Sequence, residues 1–321
     1  MAPSTTLWPD ILPLDDATLT ALMSFRPSLD LPAPWLEQWE SVWRPLTAYM
    51  EMHIQHSETV PIIGIHGGQG SGKSTLSRAL QHSLKQVFDR NIVIVSIDDL
   101  YLTHADRQKL ANDIHPLLAT RGVPGTHEVE FGQRLFSRLR QLKTGESLRI
   151  PAFDKASDDR LPESEWHQVN GPVDAVLFEG WCVGCEAVSD EQLVTPMNAL
   201  EANEDADGQW RRWVNEQLAT RYHDWFAMLD ALIMLKVPDM SAVTRWRTEQ
   251  EEGNKAQARG QTDRSLDDAA LERFIQHYER LTRQALTRLP EIATLVLDIN
   301  SAHQVDAIHP EPALEKGQPS S

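Results

Sequence analysis

Apolar residues in this chain gather into short unbroken runs, separated by longer stretches with helical spacing. Five runs, at residues 62–65, 92–97, 175–178, 231–237 and 294–299, are near-continuous rather than alternating. That is the pattern of parallel strands covered on both faces. Between them lie amphipathic segments. Leu76, Ala79, Leu80, Leu84 and Val87 share one face of a helix opening at Ser74, and 131–142, 209–229 and 241–252 also read as helix. The alternation predicts an α/β, three-layer fold around a mostly parallel five-stranded sheet spanning residues 58–300. Ahead of it, Trp35, Trp39, Trp43, Leu46 and Met50 recur at helical spacing. They predict a helical N-terminal extension over 1–57 whose aromatic stripe docks on the main domain as core.

Three stretches lack this periodicity. Residues 143–172 hold Pro151, Pro162, Gly171 and Pro172 and predict a long functional loop, with room for a small hairpin. Residues 249–265 are polar, with Gly253 and Gly260 around Lys255 and Arg259, and read as a mobile segment. Residues 301–321 contain Pro310, Pro312 and Pro319 and are expected to be a loosely ordered tail.

The first run breaks into a complete phosphate-binding loop. Gly67, Gly68, Gln69, Gly70, Ser71, Gly72, Lys73 and Ser74, followed by Thr75, match G-x-x-x-x-G-K-[ST]. Glycines let the backbone turn its N–H groups onto phosphate oxygens. Lys73 would reach the β- and γ-phosphates, and the Ser74 hydroxyl would sit on Mg²⁺. The strand before and the helix after give the motif the context it needs, and the helix N-terminus adds a favourable dipole for an anion. The loop predicts a P-loop NTPase fold that binds a nucleoside triphosphate with Mg²⁺.

Composition narrows the partners. The 321 residues are 41% apolar and 24% charged, with a formal net charge of -17. Such an acidic chain is a poor general partner for nucleic-acid backbones, so nucleotide binding must rest on a few placed lysines and arginines. The two cysteines, Cys182 and Cys185, exclude a disulfide-built fold. A single C-x-x-C without a second pair does not make a zinc site. No run approaches the ~18 apolar residues of a membrane span, and the opening residues lack a basic and apolar leader pattern. The expectation is a cytoplasmic protein with a small-molecule substrate and no obligate protein partner.

Two further runs end in acid at the edge where ligands bind in open α/β sheets. The second leads into Asp98 and Asp99, and the third ends in Glu179 before Gly180. Asp98 would face the γ-phosphate and accept a proton from an attacking hydroxyl. The alternative for this acidic pair is a helix cap or turn. Glu179 would hold Mg²⁺ through water or orient the attacking group. Arg245 and Arg247, on the helix after the fourth run, are placed to close a lid of about 240–265 over the phosphates. A solvated helix face would show the same pattern.

At this point the residues resemble the plant/fungal-type D-glycerate 3-kinases of the P-loop uridine kinase, phosphoribulokinase and pantothenate kinase group. Ser96-Ile97-Asp98-Asp99-Leu100-Tyr101-Leu102-Thr103 resembles the segment S-x-D-D-F-Y-L-T, with Leu100 in place of Phe. Arg121-Gly122-Val123-Pro124-Gly125-Thr126-His127-Glu128 is similar to R-G-x-P-G-T-H-D, ending in Glu rather than Asp. Pro151-Ala152-Phe153-Asp154-Lys155, with Asp159-Arg160 close behind, is similar to the P-x-F-D-K loop. Phe178-Glu179-Gly180-Trp181 resembles F-E-G-W, and Trp246-Arg247-Thr248-Glu249-Gln250-Glu251 the W-R-x-x-Q-E lid segment. The resemblance covers about residues 60–300.

The resemblance implies transfer of the γ-phosphate of MgATP to a hydroxyl of D-glycerate, giving 3-phosphoglycerate and ADP. It implies an acceptor-side insertion at about 102–172. There Asp98 and Tyr101 face the substrate, Arg121, Lys155 and Arg160 supply cations for its carboxylate, and His127 bonds a hydroxyl. A bidentate arginine clamp is the strong way to hold a carboxylate. Two other readings stay open: a P-loop kinase for a nucleoside, pantothenate or a sugar phosphate, and a switch-like ATPase.

Overall fold

The computed structural model describes residues 7–28, 31–257 and 268–310. Ten strands form in chain order: β1 (Ile62–Gly67), β2 (Ile92–Ser96), β3 (Ser147–Ile150), β4 (Phe153–Asp154), β5 (Asp159–Arg160), β6 (His167–Asn170), β7 (Ala175–Gly180), β8 (Ala231–Lys236), β9 (Leu295–Ile299) and β10 (Val305–Pro310). The main sheet has the order β10-β9-β8-β1-β7-β2. All its pairings are parallel except β9 with β10. Strand β1 therefore sits in the interior, with β7 and β2 on one side and β8 on the other.

Burial explains why the sheet strands read as unbroken apolar runs. Every residue of β1 and of β7 is buried. Ile63, Ile65, Leu177, Ile233 and Leu235 point into one core, with Leu76, Leu80 and Leu84 of the Lys73–Phe88 helix and Trp35, Trp39 and Trp43 of the N-terminal segment. Ile62, Val176, Phe178, Leu232 and Met234 point into the other, with Phe136 and Trp225. Phe178 sits 4.9 Å from both the Phe136 and Trp225 ring centroids, and this aromatic cluster anchors the second face. Burying each such ring is worth roughly 3–5 kcal/mol against truncation to alanine.

The sheet carries six strands rather than the five expected. The extra strand, β10, takes up residues from the segment expected to be a loose tail, and residues 311–321 of that segment lie outside the described residues. Proline misled the reading. Pro310 ends an edge strand, where a missing N–H costs no ladder bond. The Gln38 side chain grips both backbone groups of Val305 at 2.7 Å, tying the N-terminal segment to this edge.

Other boundaries shift for local reasons. The aromatic stripe runs through a π-helical turn at Trp39–Trp43 before the Arg44–His56 helix, which lets Trp35 and Trp43 stack at 4.0 Å. The 131–142 prediction becomes a Val129–Gln141 helix. The 209–229 prediction becomes Gln209–Gln217, a second π-helical turn at Leu218–Tyr222, and His223–Phe226. Residues 143–172 fold into two small antiparallel pairs, β3 with β6 and β4 with β5. The helix expected at 241–252 runs Met240–Gln257, into the stretch expected to be mobile, and residues 258–267 lie outside the described residues.

Candidate active site

The phosphate loop leaves the carboxyl end of β1 as expected, carrying Gly67, Gly68, Gln69, Gly70, Ser71 and Gly72 to a helix that opens at Lys73, one residue before Ser74 and Thr75. Gly70 and Gly72 adopt φ of +77° and +94°, which side chains with a Cβ resist. Two tryptophans press on these same positions. A methyl group at Gly70 would meet Trp246 Cβ at 2.7 Å, and one at Gly72 would meet the Trp35 ring at 3.1 Å. Lys73 Nζ donates to the Gly68 carbonyl at 3.0 Å. Desolvation draws the Lys73 pKa below its ordinary value, opposed by the nearby Glu179 and Asp98 carboxylates.

Glu179 lies in β7, in register with Ile65 of β1 and Ser96 of β2, so the sheet itself sets it beside the loop. It is 7% exposed, and its Oε1 accepts the Ser74 hydroxyl at 3.0 Å. The two oxygens suit Mg²⁺, which keeps several waters and takes few protein ligands alongside phosphates. Gly180 is needed for packing: a methyl there would strike Ile97 at 2.4 Å.

Asp98 stands on a 3₁₀ turn, Ile97–Leu100, capped by Ser96 Oγ. Its two oxygens are occupied. Oδ1 accepts the Tyr101 hydroxyl at 2.9 Å and Oδ2 accepts Lys155 Nζ at 2.6 Å. Burial by itself would raise the Asp98 pKa, but Lys155, Tyr101 and His127 outweigh it and hold the carboxyl down at about 2. The neighbouring Asp99 behaves oppositely. Burial pushes its pKa up to about 6, although Oδ1 accepts the Phe153 N–H at 3.1 Å.

Of the acceptor-side cations, Lys155 reaches Asp98 itself, and all three are paired with carboxylates. Arg121 bonds Asp158, Arg160 Nη1 bonds Glu128 at 2.9 Å, and Lys155 bonds Asp98. Arg160 Nη2 also donates to the Tyr101 carbonyl at 2.5 Å. His127 is fully buried and stacks on Tyr101 with centroids 4.6 Å apart. The segments meet because the backbone at 126–128 bonds that at 100–102, through Leu102 N–H to Thr126 O and Glu128 N–H to Leu100 O.

Sequence reasoning missed the residues that hold these loops. Arg107 is 0% exposed and bonds the carbonyls of Leu102, Ala119 and Asp158 as well as the Asp158 carboxylate at 2.6 Å. With Arg121 it lies 5.6 Å from the centroid of the Phe153 ring. Tyr278 donates to the Arg121 carbonyl at 3.0 Å and Trp181 Nε1 to that of Gly122 at 3.2 Å. Gly122 adopts φ +133° against the Tyr278 hydroxyl, where a side chain would collide. Only the repeated glycines of this segment carried a trace of these constraints in the sequence.

The remaining candidates flank Trp246, which packs against the phosphate loop at Gly70. Arg247 lies 5.4 Å over the Phe274 ring, and Arg245 is exposed near Asp239. Cys182 and Cys185 are both buried free thiols, and burial raises the pKa of each. Among the described residues no group of three or more His, Cys, Asp or Glu side chains could hold a metal, and no helix is long and apolar enough to cross a membrane.

Residues 62–243, more than half of the chain, match the phosphoribulokinase/uridine kinase family. The chain belongs to that family. It is a P-loop kinase, a nucleotide-binding phosphotransferase. This kinase is 35% identical over 224 residues to the uncharacterized kinase mug58 of Schizosaccharomyces pombe, covering 68% of this chain and 78% of that protein. It is 30% identical over 226 residues to the chloroplastic D-glycerate 3-kinase of Arabidopsis thaliana, covering 68% of this chain but 47% of the plant protein. Its fold matches that of the D-glycerate 3-kinase from Cryptococcus neoformans with a TM-score of 0.68 at 24% identity, over 84% of this chain and 99% of that one.

Proposed function

We propose that this kinase transfers the γ-phosphoryl group of MgATP to a hydroxyl of D-glycerate, giving 3-phosphoglycerate and ADP. The observation that carries the reading is Lys155 held on Asp98, close enough to the phosphate loop for Asp98 to act on Lys73, with Arg121 and Arg160 on the adjoining loops paired to Asp158 and Glu128. Every one of these cations is held by a carboxylate. A small hydroxy acid offers a carboxylate to exchange into that network and a hydroxyl to replace Lys155 on Asp98. The 30% identity to a plant D-glycerate 3-kinase supports the choice of acid.

The roles follow from chemistry and position. Backbone N–H groups from Gly67 to Gly72, with Lys73, cradle the phosphates. Ser74 and Glu179 are the residues that would hold Mg²⁺, which when bound neutralises charge on the phosphate oxygens. Asp98, with a pKa of about 2, is a weak base while Lys155 holds it and acts first by orienting the hydroxyl. As the acceptor carboxylate draws Lys155 away, Asp98 loses its cation and burial raises its basicity. The hydroxyl oxygen then forms its bond to γ-phosphorus, the β–γ bridge breaks, and Asp98 takes the hydroxyl proton. Because such transition states are loose, late proton transfer suffices and positioning carries most of the rate. Tyr101, Arg121, His127, Lys155 and Arg160 hold the acceptor. Arg245 or Arg247 closes over the phosphates.

An acceptor panel tests the reading. Turnover is measured with D-glycerate, L-glycerate, glycerol, pantothenate, uridine and a sugar phosphate. A kcat/KM for D-glycerate far above the rest is expected. A preference for uridine, pantothenate or the sugar phosphate would move the kinase to another acceptor class. A high ATPase rate indifferent to all six would favour a switch.

A further inference from the structure

His127 and Tyr222 are both 0% exposed and form a buried pair behind the acceptor site, with His127 Nδ1 2.6 Å from the Tyr222 hydroxyl. The Gly125 N–H also reaches that hydroxyl oxygen, at 2.9 Å. A backbone N–H can only donate, so the oxygen is an acceptor there and must place its own proton elsewhere. The His127 backbone N–H faces the same oxygen, again as a donor, which leaves His127 Nδ1 to take the hydroxyl proton. Nδ1 is therefore the acceptor nitrogen. Burial holds the His127 ring neutral, with a pKa pushed down to about 3, so the single ring proton resides on Nε2.

Nε2 is fully buried and has no hydrogen-bond partner among the described residues. A buried donor left unpaired is costly, and native folds keep few of them. A second one lies close by: Arg160 Nε is also buried and unpartnered, on a side chain bonded to the Tyr101 carbonyl. Since His127 stacks on the Tyr101 ring, two orphaned donors flank that one residue. Neither can accept a hydrogen bond.

We infer that Tyr222 fixes His127 as a neutral Nε2–H donor that bonds an accepting oxygen of the substrate, and a carboxylate oxygen more strongly than a hydroxyl oxygen because the negative charge strengthens the bond. Tyr222 is a positioning residue, acting through His127. This deepens the hydroxy-acid reading above and rests on it for the location of the pocket.

The first test reads the wild-type protein. Full-length protein is prepared with ¹⁵N-labelled histidine, and long-range ¹H–¹⁵N correlations report the tautomer of each of the 12 histidines. The His127 signals are assigned by their loss in His127→Gln. The Nε2–H pattern is expected for His127 at neutral pH. An Nδ1–H or doubly protonated pattern overturns the inference.

Turnover supplies the second test. His127→Phe should lower kcat/KM for D-glycerate about 10- to 100-fold, the range of a lost hydrogen bond to a charged group, with the KM for ATP unchanged. His127→Gln, whose amide can donate, should recover part of the loss. The preference for D-glycerate over glycerol should narrow in His127→Phe, and an unchanged ratio contradicts carboxylate selection. Tyr222→Phe should shift the His127 tautomer and raise the D-glycerate KM, and a folded variant with the wild-type tautomer contradicts the role of Tyr222. If Tyr222→Phe does not fold, the wild-type spectrum decides. A wild type that uses neither compound removes the hydroxy-acid reading and carboxylate selection with it, while the tautomer still stands or falls on the spectrum.

Discussion

Lys155 Nζ lies 2.6 Å from Asp98 Oδ2, so the acid proposed to receive the substrate proton is held by the cation proposed to bind the substrate. The pair is not a buried static bridge, because the Lys155 side chain is 62% exposed. Such an exposed pair is worth little to stability and is readily exchanged. Its effect is on protonation: the Asp98 carboxyl stays ionised down to about pH 2.

Lys155→Ala should therefore change a pH profile more than a melting curve. With the cation gone, burial is opposed by less and the Asp98 pKa rises. The acid limb of kcat/KM should move to higher pH and the KM for the acceptor should increase. An acid limb that stays in place would show that Asp98 does not feel Lys155.

Asp98→Asn should lower kcat by on the order of 10²–10⁴ while leaving ATP binding largely intact, as expected for loss of a proton acceptor that also orients the hydroxyl. Lys73→Ala should impair both nucleotide binding and turnover. Fluorescence titration with ATP beside steady-state kinetics separates the two variants.

Asp99 predicts a stability effect with a defined sign. Its folded pKa of about 6 exceeds the ordinary value of 3.8, so the folded state holds a proton more tightly than the unfolded chain. Stability from this group is full below pH 3.8, falls as pH rises through 6, and stays low above it. Asp99→Asn keeps an oxygen for the Phe153 N–H and removes the charge. It should be more stable than the wild type at pH 8, by on the order of 1–3 kcal/mol, and equal to it near pH 3. Urea midpoints at the two pH values read this directly.

The phosphate loop is buttressed from the N-terminal segment. Trp35 stacks on Trp43 and packs against Gly72. Trp35→Ala should raise the KM for ATP several-fold while the KM for the acceptor changes little, and Trp35→Phe should restore most of the affinity. Equal effects on both substrates would mean that the tryptophan supports the whole fold rather than this loop.

The parts visible in the sequence are those whose causes are local. Strands β1, β2, β7, β8 and β9 announced themselves because each is buried on two faces, and the phosphate loop because its glycines and Lys73 are adjacent in the chain. Asp98 and Glu179 were found because each follows or ends such a strand. What stayed hidden depends on distant partners. Strand β10 is an edge strand held partly by Gln38, some 267 positions away, and its prolines looked like disorder. Arg107 gave no signal because its partners, at 102, 119 and 158, meet only after folding. The same holds for Tyr222, whose importance lies in a proton it gives to a residue 95 positions distant.

The central claim is acceptor-dependent phosphoryl transfer to D-glycerate. The most direct measurement follows ADP release in the presence of Mg²⁺ with and without D-glycerate, and locates the phosphate on the product by ³¹P–¹H NMR. The account predicts ADP release that depends on D-glycerate and a product phosphorylated at the 3-position. ADP release indifferent to D-glycerate, with tight ATP binding intact, would contradict it.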